Sequence, residues 1–419
     1  LDESANIIMF EKDEYISFAN CGLPYYIGGE ITDQEALTLQ TPDSFKARFN
    51  VDVRNFNEVT AITPETKTVT VYNHQLQKEY QESYDKLLLS MGAKPIKPNI
   101  PGINSNKVFT LRNIPDTYAI KEYVDTHKPK HAIVVGGGFI GIEMAENLHS
   151  TGINVTIVEM ANQVISPIDY EMACEVHQHL ISKGINLVLE TELQAINEAD
   201  NKLTVTLNNQ TVDTDMVIMA IGVVPETKIV KNTEIATNSR GAIIVNDKME
   251  TSIKDIYAVG DAIEIKNFVT NKASYVPLAG PANKQGRIAA DNICGFDRHY
   301  QGTQGSSILK VFDLTVASSG INEKTARELN LNYDKVYTYS ANHAGYYPGA
   351  VNMSIKVLFD KSTGTILGAQ IVGYDGVDKR MDVLAAAIRA KMTGFDLTEL
   401  ELCYAPPYGS AKDPVNMAG

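Results

Sequence analysis

The chain has 419 residues, with 37 Lys and Arg against 51 Asp and Glu, which gives a formal net charge of −14. This acidity argues against a nucleic-acid partner, because clustered Lys and Arg side chains bind phosphate backbones. No apolar run approaches the ~20 residues that a membrane-spanning helix needs. The cysteines form no CxxC pair, which excludes a disulfide scaffold and a cysteine-type zinc site and favours a cytoplasmic protein. The histidines show no metal-binding spacing, so we predict no metal site.

The first part of the chain alternates predicted strands with polar turns. The apolar run over residues 6–10 predicts a buried parallel strand that ends at the acid Glu11. A short extended stretch then leads to Cys21, and a helix is predicted from about Pro24. Residues 84–90 predict a further strand, which ends in a turn of small residues.

The middle of the chain repeats a pattern in which a strand is followed by glycine. Residues 131–135 predict a strand that breaks into a glycine turn, and a helix over 139–150 and a strand over 155–159 follow. The pattern returns in two later places: residues 216–221 before Gly222, and residues 256–259 before Gly260.

From about Thr303 the hydrophobic pattern of the sequence changes. Alternating segments predict strands over 309–315 and 354–359, and helices are predicted over 382–393 and 397–402. We interpret this part as a separate α+β domain.

The clearest motif is the spacing Gly-x-Gly-x-x-Gly over residues 136–141, directly after a strand and at the start of a helix. In such a motif Gly136 makes the tight turn, Gly138 lets the backbone approach a pyrophosphate, and Gly141 lets the helix pack close to the strand. Glu159 ends the next strand, where an acid hydrogen-bonds the ribose hydroxyls of the adenosine and repels a 2′-phosphate. The motif therefore predicts a dinucleotide site that prefers NADH to NADPH.

A second dinucleotide fold is indicated by the first strand, because Glu11 has the position of another ribose-binding acid. Its glycine motif would lie ~20 residues earlier, so we expect an N-terminal strand and glycine loop that are missing before Leu1. The alternative is that Glu11 is an ordinary solvated acid. Gly260 and Asp261 favour the first interpretation, since a carboxylate at a strand end can meet a ribityl hydroxyl while glycine admits close backbone approach.

Cys21 lies between an extended stretch and a predicted helix, a position that lowers the pKa of a thiol. No second cysteine is near in the sequence, so this cysteine either forms a mixed disulfide with an external thiol or stops at sulfenic acid. The alternative is a buried structural cysteine. That structural interpretation is the one we adopt for the remaining cysteines: Cys174, Cys294 and Cys403.

Taken together, these motifs resemble those of the pyridine nucleotide–disulfide oxidoreductases. The sequence SFANCGLPYY around Cys21 resembles the single-cysteine branch of that family, and within it the coenzyme A-disulfide reductases. Two C-terminal segments resemble the same subgroup: YYPG from Tyr346, and YAPPYGSAKD from Tyr404. The likeness covers essentially the whole chain.

The resemblance implies an α/β protein with two Rossmann-like dinucleotide-binding domains, one for FAD and one for NAD, and a C-terminal α+β dimerisation domain. We expect the first part of the FAD domain over 1–111, the NAD(P)H domain over 112–236, the second part of the FAD domain over 237–302, and the dimerisation domain over 303–419. The resemblance also implies a homodimer that uses FAD and NADH, with NADPH as the alternative nucleotide.

The resemblance also implies roles for individual residues. Cys21, Tyr346 and Tyr404 match catalytic positions, the tyrosines being supplied by the partner subunit; interface packing is the alternative for the tyrosines. Substrate contacts are expected at Ser17, Asn20, Asn283 and Lys412, although some relatives carry His where Asn283 stands. Cofactor contacts are expected at ten positions: Glu11, Ala93, Gly136, Gly138, Gly141, Glu159, Gly222, Gly260, Asp261 and Ala279.

The function predicted in this way is the reduction of coenzyme A disulfide, or a related small disulfide or persulfide, by NAD(P)H through FAD and one redox cysteine. An NADH oxidase or peroxidase that cycles Cys21 through sulfenic acid is an alternative. A non-catalytic redox-sensing flavoprotein is an alternative of another class. The C-terminal segment also resembles the point where some relatives continue into a rhodanese-like domain, which would favour persulfide substrates.

Overall fold

The computed structural model describes residues 1–199, 202–208 and 210–419, and its first region holds short strands around two helices. The strands are β1 (Ile8–Phe10), β2 (Ser17–Phe18), β3 (Thr38–Gln40), β4 (Asp52–Arg54), β5 (Asn57–Thr63), β6 (Thr68–Asn73), β7 (Lys78–Ser83), β8 (Leu87–Leu89) and β9 (Ala93–Pro95). The helices are α1 (Leu23–Gly28) and α2 (Pro42–Phe49). The predicted helix after Cys21 is thus confirmed as α1.

The second region alternates strands and helices. Its strands are β10 (Val108–Thr110), β11 (His131–Val135), β12 (Asn154–Val158), β13 (Asn186–Val188), β14 (Leu193–Ala199), β15 (Lys202–Leu207), β16 (Gln210–Thr214), β17 (Met216–Met219) and β18 (Val223–Pro225). Its helices are α3 (Ile114–His127), α4 (Phe139–Ser150) and α5 (Tyr170–Ser182). The strand and helix predicted around the glycine motif are confirmed with their bounds.

A parallel sheet in the order β10-β17-β11-β12-β13 forms the centre of the second region. All residues of β17 and all but the first of β11 are buried, because one face of the sheet packs against helices and the other against the strands β14 and β15. β10 joins this sheet through its pairing with β17, so the sheet begins just ahead of the domain boundary predicted after residue 111.

The chain then returns to its first region. The elements of this third region are β19 (Ile256–Ala258), β20 (Ile265–Lys266), β21 (Ala273–Ser274) and α6 (Ala279–Ile293). β19 pairs in parallel with β8, and β18 pairs antiparallel with β9. These pairings are those expected of one domain interrupted by another.

The C-terminal region is built on an antiparallel sheet in the order β22-β23-β26-β25-β24. Its elements are β22 (Ser307–Val311), β23 (Leu314–Gly320), α7 (Glu323–Glu328), β24 (Tyr333–Ala341), β25 (Asn352–Asp360), β26 (Ile366–Gly373), α8 (Val377–Arg389), α9 (Gly394–Thr398) and α10 (Pro414–Ala418). Both predicted helices lie later in the sequence than the observed ones. α8 spans Val377–Arg389 rather than 382–393 and follows Gly376 in a left-handed conformation, whereas α9 spans Gly394–Thr398 rather than 397–402 because Thr393 and Asp396 form a capping box. The strand predicted over 309–315 is also wrong, because a turn at residues 312–313 divides it between β22 and β23.

The largest apolar core joins the helix after Cys21 to the helix of the glycine motif. Leu23 and Ile27 of α1 belong to the same buried cluster as Ile142 and Leu148 of α4. This packing holds the Cys21 segment against the second region. Within the described residues, no helix has both the length and the apolar character needed to cross a bilayer.

Candidate active site

Cys21 lies in a short turn between β2 and α1, and its side chain is exposed. The turn is closed by the backbone N–H of Gly22, which donates to the carbonyl of Ala19 at 2.8 Å. Our prediction of a lowered pKa for this thiol is wrong. Partial burial raises the pKa of the Cys21 thiol, and the nearby Glu143 carboxylate raises it further.

Glu143 is a residue that our reading of the sequence missed. It lies on α4, where burial is the main cause that raises its pKa to about 7. A hydrogen bond from the Tyr25 hydroxyl lowers this pKa, and the charge of Glu146 raises it by a smaller amount. Tyr25 and Glu143 line a cavity of about 380 Å³ together with residues of the C-terminal region. The sequence placed Glu143 on a helix but gave no sign of which side of that helix faces Cys21.

The two predicted tyrosines are brought together in the C-terminal region. The hydroxyls of Tyr346 and Tyr404 lie 3.0 Å apart, and this hydrogen bond raises the pKa of Tyr346. Both rings are exposed, at 76% and 49% of their surface. Lys412 is also exposed and lies next to the buried Asp413. Within the described part of the chain, no hydrogen bond or ion pair joins these side chains to Cys21.

The other predicted substrate contacts lie in two places. Ser17 belongs to β2 and Asn20 to the turn of Cys21, so both flank the thiol. Asn283 lies on α6, where it is exposed and donates from its amide to the carbonyl of Ala279 at 2.9 Å.

The glycine motif has the geometry of a phosphate-binding turn. Gly136 has a φ of +107°, and a Cβ atom on Gly141 would lie 1.9 Å from the carbonyl oxygen of Gly136. A Cβ atom on Gly138 would meet nothing within 4 Å, so this side of the turn is open to a ligand. Glu159 accepts hydrogen bonds from the backbone N–H groups of Gly137 and Ala161, at 2.7 and 2.8 Å. The acid therefore sits directly beside the open turn.

The expected flavin contacts include a paired carboxylate. Gly260 has a φ of +74°, and Asp261 forms an ion pair with Arg112 at 3.2 Å. Arg112, which the sequence did not reveal, also lies 3.0 Å from where a Cβ atom on Gly92 would stand. The set of glycines and a half-buried acid fits a ribityl and phosphate ligand.

The remaining expected cofactor contacts lie at element ends. Glu11 follows β1, is half-buried, and has a pKa raised by that burial. Ala93 begins β9, and Ala279 begins α6. Gly222 has a φ of +108° after β17.

The other cysteines differ in part from the expectation of burial. Cys174 is half-buried on α5, but Cys294 and Cys403 are exposed. Cys294 is the residue directly after α6, and Cys403 lies between α9 and α10, so neither packs into a core.

Comparison with known families places these observations in one class. Residues 2–286 match the pyridine nucleotide-disulphide oxidoreductase model, and residues 306–414 match the dimerisation domain of the same family. The chain belongs to the pyridine nucleotide-disulphide oxidoreductases, which use FAD with a pyridine nucleotide. The dimerisation domain indicates a homodimer.

Three relatives show which members of the family the chain resembles. The chain is 40% identical over 420 residues to coenzyme A disulfide reductase of Staphylococcus haemolyticus, covering all of this chain and 94% of the relative. It superposes on reduced Bacillus anthracis CoADR-RHD with a TM-score of 0.98 and 54% identity, covering 100% of this chain and 75% of that one. The NAD-dependent persulfide reductase from A. fulgidus gives a TM-score of 0.96 and 38% identity, with 99% and 78% covered.

Proposed function

We propose that the protein reduces coenzyme A disulfide, or a related low-molecular-weight disulfide or persulfide, with NADH. The observation that carries this proposal is the state of Cys21, an exposed free thiol with no cysteine partner in its turn. Such a thiol exchanges with an external disulfide. The similarity to coenzyme A disulfide reductases over the whole chain supports the choice of substrate.

The Cys21 thiolate attacks one sulfur of the substrate, the bond between the two substrate sulfurs breaks, and one coenzyme A leaves as a thiolate. FAD, when held by the residues assigned to it below, would supply the electron pair that cleaves the resulting mixed disulfide, and NADH would supply that pair to FAD as hydride. The second coenzyme A leaves and Cys21 returns to the thiolate. One NADH and one proton are consumed for each disulfide, and two thiols are released.

Proton handling in this cycle involves two groups. Glu143, with a pKa of about 7, holds a proton on its carboxyl group beside Cys21 over part of the neutral range. The paired hydroxyls of Tyr346 and Tyr404 donate a hydrogen bond or proton to the leaving thiolate. Because these hydroxyls are exposed on a dimerisation domain, we place them opposite Cys21 of the partner subunit.

The cofactors are assigned to two sets of residues. FAD is held by five residues: Glu11, Ala93, Gly260, Asp261 and Ala279. Arg112 orients the carboxylate of Asp261. A second set holds NADH: Gly136, Gly138, Gly141, Glu159 and Gly222. The open side of Gly138 and the carboxylate beside it support this assignment. Substrate contacts are assigned to Ser17, Asn20, Asn283 and Lys412.

The first prediction tests the role of Cys21. NADH oxidation by the FAD-loaded protein is measured with coenzyme A disulfide, coenzyme A persulfide, peroxide and oxygen as separate acceptors. We expect the disulfide or the persulfide to give the highest rate, and Cys21→Ser to abolish it because the exchanging sulfur is lost. Cys294→Ser, which removes an exposed cysteine at the end of α6, should leave the rate unchanged.

Two results would contradict the proposal. A rate with either sulfur substrate no higher than the rate with oxygen would indicate an oxidase. NADH turnover that survives intact in Cys21→Ser would indicate a protein that does not use this cysteine for catalysis.

A further inference from the structure

Two loops of the C-terminal region carry the tyrosines and the lysine of the proposed site. The tyrosine loop, residues 342–351, joins β24 to β25 and carries Tyr346. The lysine loop, residues 399–413, joins α9 to α10 and carries Tyr404 and Lys412. The loops meet through the tyrosine hydroxyls at 3.0 Å and through a backbone hydrogen bond of 3.0 Å.

Arg380 of α8 bonds to both loops at once. Its Nη2 donates to the carbonyl of Asn342, the first residue of the tyrosine loop, at 2.6 Å, and to Oδ2 of Asp413, the last residue of the lysine loop, at 2.9 Å. Its Nε donates to the same carboxylate, and its Nη1 donates to the carbonyl of Gly376 at 3.1 Å. Arg380 and Asp413 are each only 2% exposed.

This set of bonds depends on the shape of the guanidinium group. A planar fork with five N–H donors can serve a carboxylate and two carbonyls together, whereas an ammonium group cannot reach the same three partners in one plane. A buried ion pair adds little net stability compared with well-packed apolar side chains. The guanidinium group of Arg380 instead joins the first residue of one loop to the last residue of the other.

We propose that Arg380 is a positioning residue, which holds the tyrosine loop and the lysine loop in the register that pairs Tyr346 with Tyr404. The proposal rests on the proposed function, because it assigns the tyrosine pair a part in disulfide reduction. Arg380 itself contacts neither tyrosine; it acts through Asn342 and Asp413, at the two loop ends.

The test is a double-mutant cycle in the FAD-loaded protein, with kcat/KM for coenzyme A disulfide as the measurement. We expect R380K to lower kcat/KM on the order of ten-fold, because small displacements of catalytic groups cost about this much or more. In a Y346F background R380K should cost clearly less than it does in the unsubstituted protein, because the pair of Tyr346 and Tyr404 that Arg380 positions is already broken. The matched control is R389K on the same helix, whose side chain stacks on Phe268 and bonds Gly302, and it should leave kcat/KM unchanged.

A spectroscopic measurement distinguishes positioning from general stabilisation. The hydrogen bond to Tyr404 raises the pKa of Tyr346, so loosening the loops should move the tyrosinate absorbance of Tyr346 to lower pH. The Tyr346 titration in the R380K protein is obtained by subtracting the R380K/Y346F curve from the R380K curve. It is compared with the curve obtained by subtracting Y346F from the unsubstituted protein.

The outcomes separate the two proposals. If the unsubstituted protein does not reduce coenzyme A disulfide, the proposed function fails. If it does, and Y346F is impaired, then additive effects of R380K and Y346F or an unchanged Tyr346 titration would overturn the positioning role. Should R380K not fold, D413N replaces it in the same cycle, and failure of both to fold would also overturn the proposal in favour of a purely structural role.

Discussion

At the scale of single residues, the environment of Cys21 works against its ionisation. Disulfide exchange requires the thiolate, yet both the partial burial of the thiol and the carboxylate of Glu143 raise the pKa of Cys21 in this chain. The protonation of Glu143 is therefore coupled to the reactivity of the thiol, because a neutral Glu143 removes the repulsion.

The second prediction concerns Glu143→Gln. Replacing the carboxylate with a neutral amide of the same shape removes a negative charge near Cys21, so the pKa of the thiol should fall and alkylation by iodoacetamide should begin at lower pH. The measurement uses FAD-loaded protein in which the other three cysteines are serine, because two of them are exposed. Glu122→Gln on α3 is the control, and a profile equal to that of Glu143→Gln would contradict the coupling.

At the scale of elements, the turn between β11 and α4 depends on glycines for different reasons. A Cβ atom at Gly141 would collide with the backbone of Gly136, whereas one at Gly138 would enter open space. Glycine at 141 therefore lets the helix pack against the strand, and glycine at 138 lets a ligand approach the backbone.

The third prediction separates these two needs. Gly141→Ala should lower the free energy of unfolding by about 1–3 kcal/mol, as overpacking does, and weaken NADH binding through displacement of α4. Gly138→Ala should leave the unfolding midpoint unchanged but raise the Kd for NADH. Chemical unfolding and NADH titration are measured on both. Equal effects of the two substitutions on unfolding would contradict this account.

Local patterns in the sequence were sufficient to predict the elements around the glycine motif and the position of Cys21 ahead of a helix. They misjudged the start of α8, which begins at Val377 directly after Gly376 in a left-handed conformation that the local pattern did not signal. They also could not predict contacts between distant residues. Arg112 pairs with Asp261 across 149 positions, and no local spacing signals such a pair.

At the scale of the whole molecule, a buried lysine ties the second region to the C-terminal region. Lys356 of β25 is fully buried, and its ammonium group lies 2.6 Å from Asp169 and 2.6 Å from Glu323, with Glu171 also in contact. Asp169 and Glu171 belong to the start of α5, and Glu323 begins α7. These three carboxylates lie within 4.8 Å of one another, an arrangement that the cation makes tolerable.

The charge state of Glu323 follows from its partners. Burial opposes its ionisation, but hydrogen bonds from Lys335, Lys356 and Tyr333 outweigh burial and lower its pKa to about 2. A group with a lowered pKa contributes stability above its ordinary pKa of 4.5, and this contribution is lost as the pH falls toward 2.

The fourth prediction is that Lys356→Met destabilises the protein by about 3–5 kcal/mol at pH 7, since it leaves buried carboxylates without their cation. Lys335→Met is the control: it removes a half-exposed partner of the same Glu323, so its cost should be much smaller. Urea unfolding is measured between pH 7 and pH 4. Because protonation relieves the unpaired acids, the difference between Lys356→Met and the unsubstituted protein should shrink as the pH falls. If the loss of unfolding free energy in Lys356→Met stays constant over this range, then lost packing, rather than charge, explains the role of Lys356 between the two regions.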